Sequence, residues 1–248
     1  MRSFGLSTWI GVLLSLCSVI SNAKVVVEHE MTPKKIVVVK VVDRILYEEE
    51  EALKAVLDRL EKDGYRLKLN AVVLNSRGGN GSAAQAMGRL IRERKLNTFL
   101  PSDSVCDSAC IYVLCGGVVR MAFGSVSVHR TSYEETYPIE KLEEALKSAD
   151  DKTRKHIYDM GLSYQLTDAI LMTSNSSNRR LEEAEKLHWG VHGTERMYEE
   201  IWFRSTALDT KYSVSVVESF FRKNISNCNE KARRFEMTAW ECVRREMN

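Results

Sequence analysis

The sequence predicts an α/β domain of βαβ units around a largely parallel sheet, extended at its C-terminal end by helices. Three observations predict this. Short apolar, β-branched runs alternate with amphipathic helical segments through residues 25–130. After residue 138 the strand pattern gives way to helical, highly charged sequence. Beyond residue 193, helical segments carry aromatic anchors at Trp202, Phe203, Phe220, Phe221, Phe235 and Trp240. The expected units are a leader over 1–23, the α/β domain over 24–192 and the helical extension over 193–248.

The leader has a positive start at Arg2 and an apolar run over 9–20 that is too short to span a bilayer comfortably. Ser21-Asn22-Ala23 is a small-x-small cleavage site, so 1–23 reads as a secretory signal peptide. Leu16 precedes Cys17 where a lipoprotein site needs a small residue. The expected product is periplasmic or secreted, with no stable membrane span after cleavage. Lys plus Arg total 36 against 34 for Asp plus Glu, a balance that argues against a nucleic-acid surface. An apolar fraction of 44% supplies a sizeable core. There is no internal repeat and no metal motif, and no cofactor is expected.

In chain order, 25–27 and 36–42 are strand-like. Residues 48–62 form an amphipathic helix with Leu53, Val56, Leu57 and Leu60 on one face and Gly64 at its end. Its run of glutamates, 48–51, reads as a solvated start facing the positive end of the helix dipole. A strand follows over 67–74, then Gly78 and Gly79, then a helix over 82–93 with Ala83, Ala86, Met87, Leu90 and Ile91 on one side. Ser108 opens a buried helix over 109–114. Gly116 and Gly117 mark a turn into the apolar residues 118–123, and a further apolar run ends at His129. A polar loop over 131–138 leads to helices over 139–160 and 162–172, a polar loop over 173–178 and a short helix over 181–188. Residues 197–205 and 214–242 read as helical.

Three features recur in a fixed order: an apolar run ending in Gly78-Gly79, a serine opening an apolar helix, and a strand ending in histidine. Glycine lets main-chain N–H groups turn toward a ligand, and such donors stabilise a tetrahedral oxyanion. The Ala109 N–H at the start of the helix is a second donor. Imidazole is the side chain suited to take a hydroxyl proton near neutral pH. Ser108 and His129 are therefore the candidate nucleophile and base, with Gly78, Gly79 and Ala109 as candidate oxyanion donors. His156, in a charged helix, reads as a surface residue.

At these residues the chain resembles the Clp-protease/crotonase superfamily, most closely its periplasmic Clp-like members, with a relation to signal-peptide peptidase A. Asn75-Ser-Arg-Gly-Gly79 is similar to the family's Asn-Ser-Pro-Gly-Gly loop, with Arg77 in place of proline. Cys106-x-Ser-Ala-Cys110 resembles the nucleophile segment of the exported branch, and Val128-His129-Arg130 the base segment. The resemblance implies a spiral of βαβ units, a polypeptide substrate and a homo-oligomer. It also places the third member of a catalytic triad in the 173–178 loop, where this chain has Ser174, Asn175 and Asn178 but no carboxylate. Those residues are the candidate orienting groups of a Ser–His dyad or non-standard triad. Arg77 and Arg130 stand beside the site as candidate anion binders.

Export implies an oxidising compartment. Cys106–Cys110 would bridge the nucleophile turn and Cys228–Cys242 would staple the terminal helices, leaving Cys115 as a buried thiol; other pairings remain open. Two function classes follow. One is an exported serine peptidase acting on exported or envelope polypeptides. The other is a catalytically silent binding or assembly protein on the same scaffold. An acyl-CoA enzyme is disfavoured by the leader.

Overall fold

The computed structural model describes residues 24–29, 35–133, 137–194, 196–234 and 237–247. The expected leader with Cys17 and the anchor Phe235 lie outside the described residues. Among the described residues no helix is long and apolar enough to cross a membrane.

Two long strands organise the sheet. Strand β1 (Lys24–His29) pairs antiparallel with β2 (Ile36–Ile45), and β2 pairs in parallel with β3 (Arg66–Gly79) across the helix α1 (Glu49–Lys62). Strand β3 then forks. Its middle, at Ala71, Val72 and Val73, pairs with β4 (Asn97–Leu100), while its end, at Ser76, pairs with β5 (Val105–Asp107). One branch continues from β4 to β6 (Val119–Ala122) and β9 (Gly193–Thr194). The other continues from β5 to β7 (Ser125–Val128) and β8 (Arg179–Arg180). The heart of this mixed sheet is parallel, and antiparallel pairs occur only at its margins, β1, β8 and β9.

The sheet is covered on both faces, which explains why its strands read as nearly continuous apolar runs. Val37, Val39, Val41, Val72 and Leu74 face a core built with α1, α2 (Gly81–Glu93), α3 (Cys110–Cys115), α4 (Ile139–Asp159) and α5 (Tyr164–Met172). The alternating residues Val38, Ala71 and Val73 face a second core with Phe203, Val217, Phe221, Trp240 and Val243. These come from α7 (Arg196–Thr210), α8 (Val214–Arg233) and α9 (Ala239–Met247). The terminal helices are thus a layer on the sheet, not a separate globule. Each large apolar side chain buried there contributes about 1.5–3 kcal/mol.

The structure differs from the sequence expectation at several points. The segment 214–242 is two helices, because Thr238 opens α9 with a capping box: its N–H donates to Glu241 Oε2 (2.9 Å) and its Oγ1 accepts from the Glu241 N–H (3.0 Å). Glu49 is not a solvated cap residue. It is 8% exposed, one carboxylate oxygen has no partner among the described residues, and burial with help from neighbouring Glu48 raises its pKa. Lys186, in α6 (Glu183–His188), is fully buried, donating to the carbonyls of Ala122 (3.0 Å) and Gly124 (2.9 Å) at the turn between β6 and β7.

Helices α2 and α3 cross without intervening side chains. A Cβ at Gly88 would lie 2.3 Å from the Tyr112 carbonyl oxygen, and one at Gly116 would lie 2.3 Å from the Gly88 carbonyl oxygen. Arg92 of α2 reaches over the end of α3 and donates to the carbonyls of Cys115, Gly116 and Gly117. His156 locks α4 to the same helix. It is 3% exposed rather than a surface residue, because the charged sequence of α4 turns one narrow apolar face, with Ile157, inward. Its Nε2 donates to the Tyr112 carbonyl (3.0 Å), and its Nδ1 is buried without a partner among the described residues.

Burial pushes the His156 pKa down from 6.5 to about 4, against the opposing pull of the Tyr112 carbonyl. Between these values the unfolded chain binds a proton at this residue and the folded chain does not. Stability should therefore fall as pH drops from 6.5 toward 4, by about 3 kcal/mol from this group. In denaturant titrations across that range, His156→Gln should flatten the slope; an unchanged slope would contradict the assignment.

Candidate active site

The nucleophile turn is built by β3, β5 and β7 together. Asn75 Oδ1 accepts the Val105 N–H (3.1 Å) and holds the start of β5 beside the end of β3. Ser76 donates to the carbonyl of Asp43 and accepts the Gly78 N–H (3.1 Å). This anchors the place where the β2–β3 register shifts between Asp43 and Arg44. The polar residues of the loop motif thus serve the fork itself.

Gly78 then packs directly on the turn that carries Ser108. With φ +83°, a Cβ there would lie 2.5 Å from the Asp107 carbonyl oxygen and 2.8 Å from the Ala109 nitrogen. Gly79 (φ +140°) passes as closely to Ile45, 2.2 Å from its carbonyl oxygen by the same measure. Only glycine fits at either position. Ser108 has φ +55°, an unusual conformation for a residue with a side chain. Such strain costs about 1–3 kcal/mol and concentrates at functional sites. Three restraints hold it here: the Gly78 contact, the Ser108 N–H bond to the Ser127 carbonyl (2.9 Å) and a disulfide between Cys106 and Cys110. The second disulfide joins Cys228 and Cys242, and Cys115 is a free buried thiol whose pKa burial pushes up to about 12. Glu246 lies close enough to Cys228 and Cys242 to share a metal ion, but their bond removes both thiolates as ligands.

Parallel pairing places the candidate base and the candidate nucleophile at neighbouring strand ends. Asp107 lies opposite Ser127, so Ser108 and His129 emerge from adjacent strand ends. Both line one cleft of about 570 Å³ with Gly79, Ala109 and Tyr112. His129 is half-buried, and its Nδ1 is 2.8 Å from the Arg130 carbonyl oxygen. A carbonyl only accepts, so the neutral ring carries its proton on Nδ1. Nε2 is left as the proton acceptor.

Arg130 is itself fixed at two further points. Its N–H donates to the Thr173 carbonyl (2.9 Å), and its guanidinium grips Asp150 of α4 through Nε (3.2 Å) and a terminal nitrogen (2.5 Å). Its charge is committed to that pair rather than to an external anion. Arg77 is exposed and lies outside the residues lining the cleft.

The hydrogen bond of His129 Nδ1 is to the Arg130 carbonyl and not to one of the expected orienting residues. Ser174, Asn175 and Asn178 are exposed, and Ser174 Oγ bonds within its own loop to Ser176 (2.9 Å). Thr173, at the start of the loop, accepts the Arg130 N–H. Gly78 is also corrected: its N–H is taken by Ser76, and Gly79 lines the cleft. Gly79 and Ala109, which line the cleft, remain the candidate oxyanion donors. Sequence reasoning missed the Arg130 carbonyl and Asp150. A main-chain acceptor has no residue signature, and Asp150 is one acid among many in α4.

The sheet is forked and mixed, with helices on both faces and the terminal helices layered on one of them. Among solved structures the chain is similar to a variant of the membrane-bound stomatin-specific protease 1510-N. That match has a TM-score of 0.46 and 16% identity, over 62% of this chain and 75% of the other. It is also similar to a variant of ClpP1 from Listeria monocytogenes, with a TM-score of 0.48 and 17% identity over 64% and 89%. No protein-family model matches the chain, and no curated protein matches it. The chemistry is therefore read from the side chains alone.

Gly78→Ala should displace the 107–109 turn. We expect labelling of Ser108 by a serine-reactive probe to slow by roughly 10²-fold, the scale of losing one oxyanion donor, while the far-ultraviolet circular dichroism stays unchanged. Labelling at the unaltered rate would contradict the geometric role of Gly78.

Proposed function

We propose that the protein is an exported serine peptidase that works with a Ser108–His129 dyad oriented by the main chain. The observation that carries this reading is the strained Ser108 turn facing a histidine whose Nδ1 is engaged by the Arg130 carbonyl. Two disulfides, one of them bracketing the nucleophile, support an oxidising compartment.

His129 Nε2 takes the Ser108 proton as Oγ attacks a peptide carbonyl. The carbonyl oxygen gains negative charge, and the N–H groups of Gly79 and Ala109 receive it. The imidazolium then protonates the departing amine, and water enters by the same route to hydrolyse the acyl-enzyme. In a triad the carboxylate does two things: it fixes the tautomer and stabilises the imidazolium. Here the Arg130 carbonyl does the first and contributes only its dipole to the second. Losing the correct tautomer costs a triad enzyme about 10⁴-fold. This site avoids that loss and gives up charge stabilisation only, so it should turn over slowly rather than not at all.

The test is labelling of purified protein with a fluorophosphonate, alongside cleavage of unfolded exported polypeptides. Labelling and cleavage should vanish in Ser108→Ala and fall steeply in His129→Ala. Cleavage that survives in Ser108→Ala would overturn the mechanism. Failure of the unaltered protein to label or cleave would favour the silent binding scaffold.

A further inference from the structure

We propose that the cleft selects polypeptide segments bearing acidic side chains near the bond presented to Ser108. The proposal rests on the reading of this cleft as a peptide site and names the class of peptide it takes.

Its basis is the charge of the walls. Arg44 and Lys152 both line the cleft, and no aspartate or glutamate does so among the described residues. The chain as a whole is almost balanced, 36 basic against 34 acidic residues, so the cleft departs from its surroundings. Asp150, on the same helix as Lys152, is held by Nε and a terminal nitrogen of the Arg130 guanidinium. Neither Arg44 nor Lys152 has an ion-pair partner among the described residues.

The two cations come from different walls. Arg44 stands opposite Gly78 in the β2–β3 register, and its stem passes over Gly79: its Cγ is 3.0 Å from where a Cβ on that glycine would be. Lys152 comes from α4, one residue before Thr153, which is hydrogen-bonded to the Tyr112 hydroxyl (2.9 Å) and so fixes that stretch of helix against α3. Both side chains are exposed and spread along an open cleft. A small anion would find no enclosed socket there. An extended chain with spaced carboxylates can meet both. Tyr47 and Tyr133 line the same cleft and add apolar surface, and the Tyr133 hydroxyl donates to the Ala145 carbonyl (3.1 Å). Each exposed ion pair is worth up to about fivefold in affinity and weakens with salt.

The experiment measures binding on intact mature Ser108→Ala protein, so that turnover is not needed. Three fluorescent unstructured peptides of equal length are compared by anisotropy, one rich in Glu, one in Gln and one in Lys. The Glu peptide should bind at least about fivefold more tightly than the Gln peptide at low salt. The Lys peptide should bind most weakly, and the preference should shrink at high salt. Arg44→Glu with Lys152→Glu should invert the order. Equal affinity for the three peptides, no binding, or a Glu preference that survives the double charge reversal would each overturn the proposal. Fluorophosphonate labelling of the unaltered protein separates the two readings. Labelling without charge preference leaves the peptidase and removes this inference; charge-dependent binding without labelling does the reverse.

Discussion

The contact between Gly78 and the main chain of 107–109 is the constraint on which the rest of the site depends. It requires the end of β3 to lie against the start of α3 with no side chain between them. That in turn requires β3 to leave β4 and join β5, which the Asn75 and Ser76 hydrogen bonds secure. Once the contact is made, Ser108 has little choice but its left-handed conformation. The Cys106–Cys110 bond closes the same turn covalently, and the Ser127 carbonyl ties it to the strand that ends in His129. Gly79, Ser108 and His129 therefore sit on one mechanical unit rather than on three separately placed segments.

The histidine shows how a carboxylate can be partly replaced. An Asp or Glu would orient the ring and balance its charge; the Arg130 carbonyl orients it and offers a dipole. A carbonyl is useful in this way only if it cannot move. Arg130 is held at its N–H by Thr173 and at its side chain by Asp150, so the loop and α4 contribute through rigidity rather than by touching the ring. Asp150 accordingly fixes Arg130 in place.

Much of this was legible in the sequence, and each unread part has a physical cause. The strand–helix alternation, the Gly78-Gly79 pair, Ser108 and His129 stand out because each is a residue type whose special property is needed at an element end. The fork of β3 was not legible, since 67–79 reads as a strand followed by a glycine loop and nothing in it marks a change of partner. The acceptor for His129 is a backbone oxygen, which any residue supplies. His156 and Lys186 were hidden for the opposite reason: their polarity suggests the surface, whereas main-chain carbonyls accept hydrogen bonds from them inside. The start of α9 was readable from Thr238 and Glu241, whose spacing is that of a capping box. The aromatic residues around it drew the eye to one long helix instead.

A crystal structure of the protein after reaction with a fluorophosphonate tests the central claim most directly. The account predicts phosphorus bonded to Ser108 Oγ and the phosphonyl oxygen within hydrogen-bond distance of the Gly79 and Ala109 N–H groups. It also predicts that His129 Nδ1 still donates to the Arg130 carbonyl, with Nε2 facing the adduct. An adduct oxygen turned to solvent, or a His129 ring that has left Arg130 for a side chain of the 173–178 loop, would contradict it.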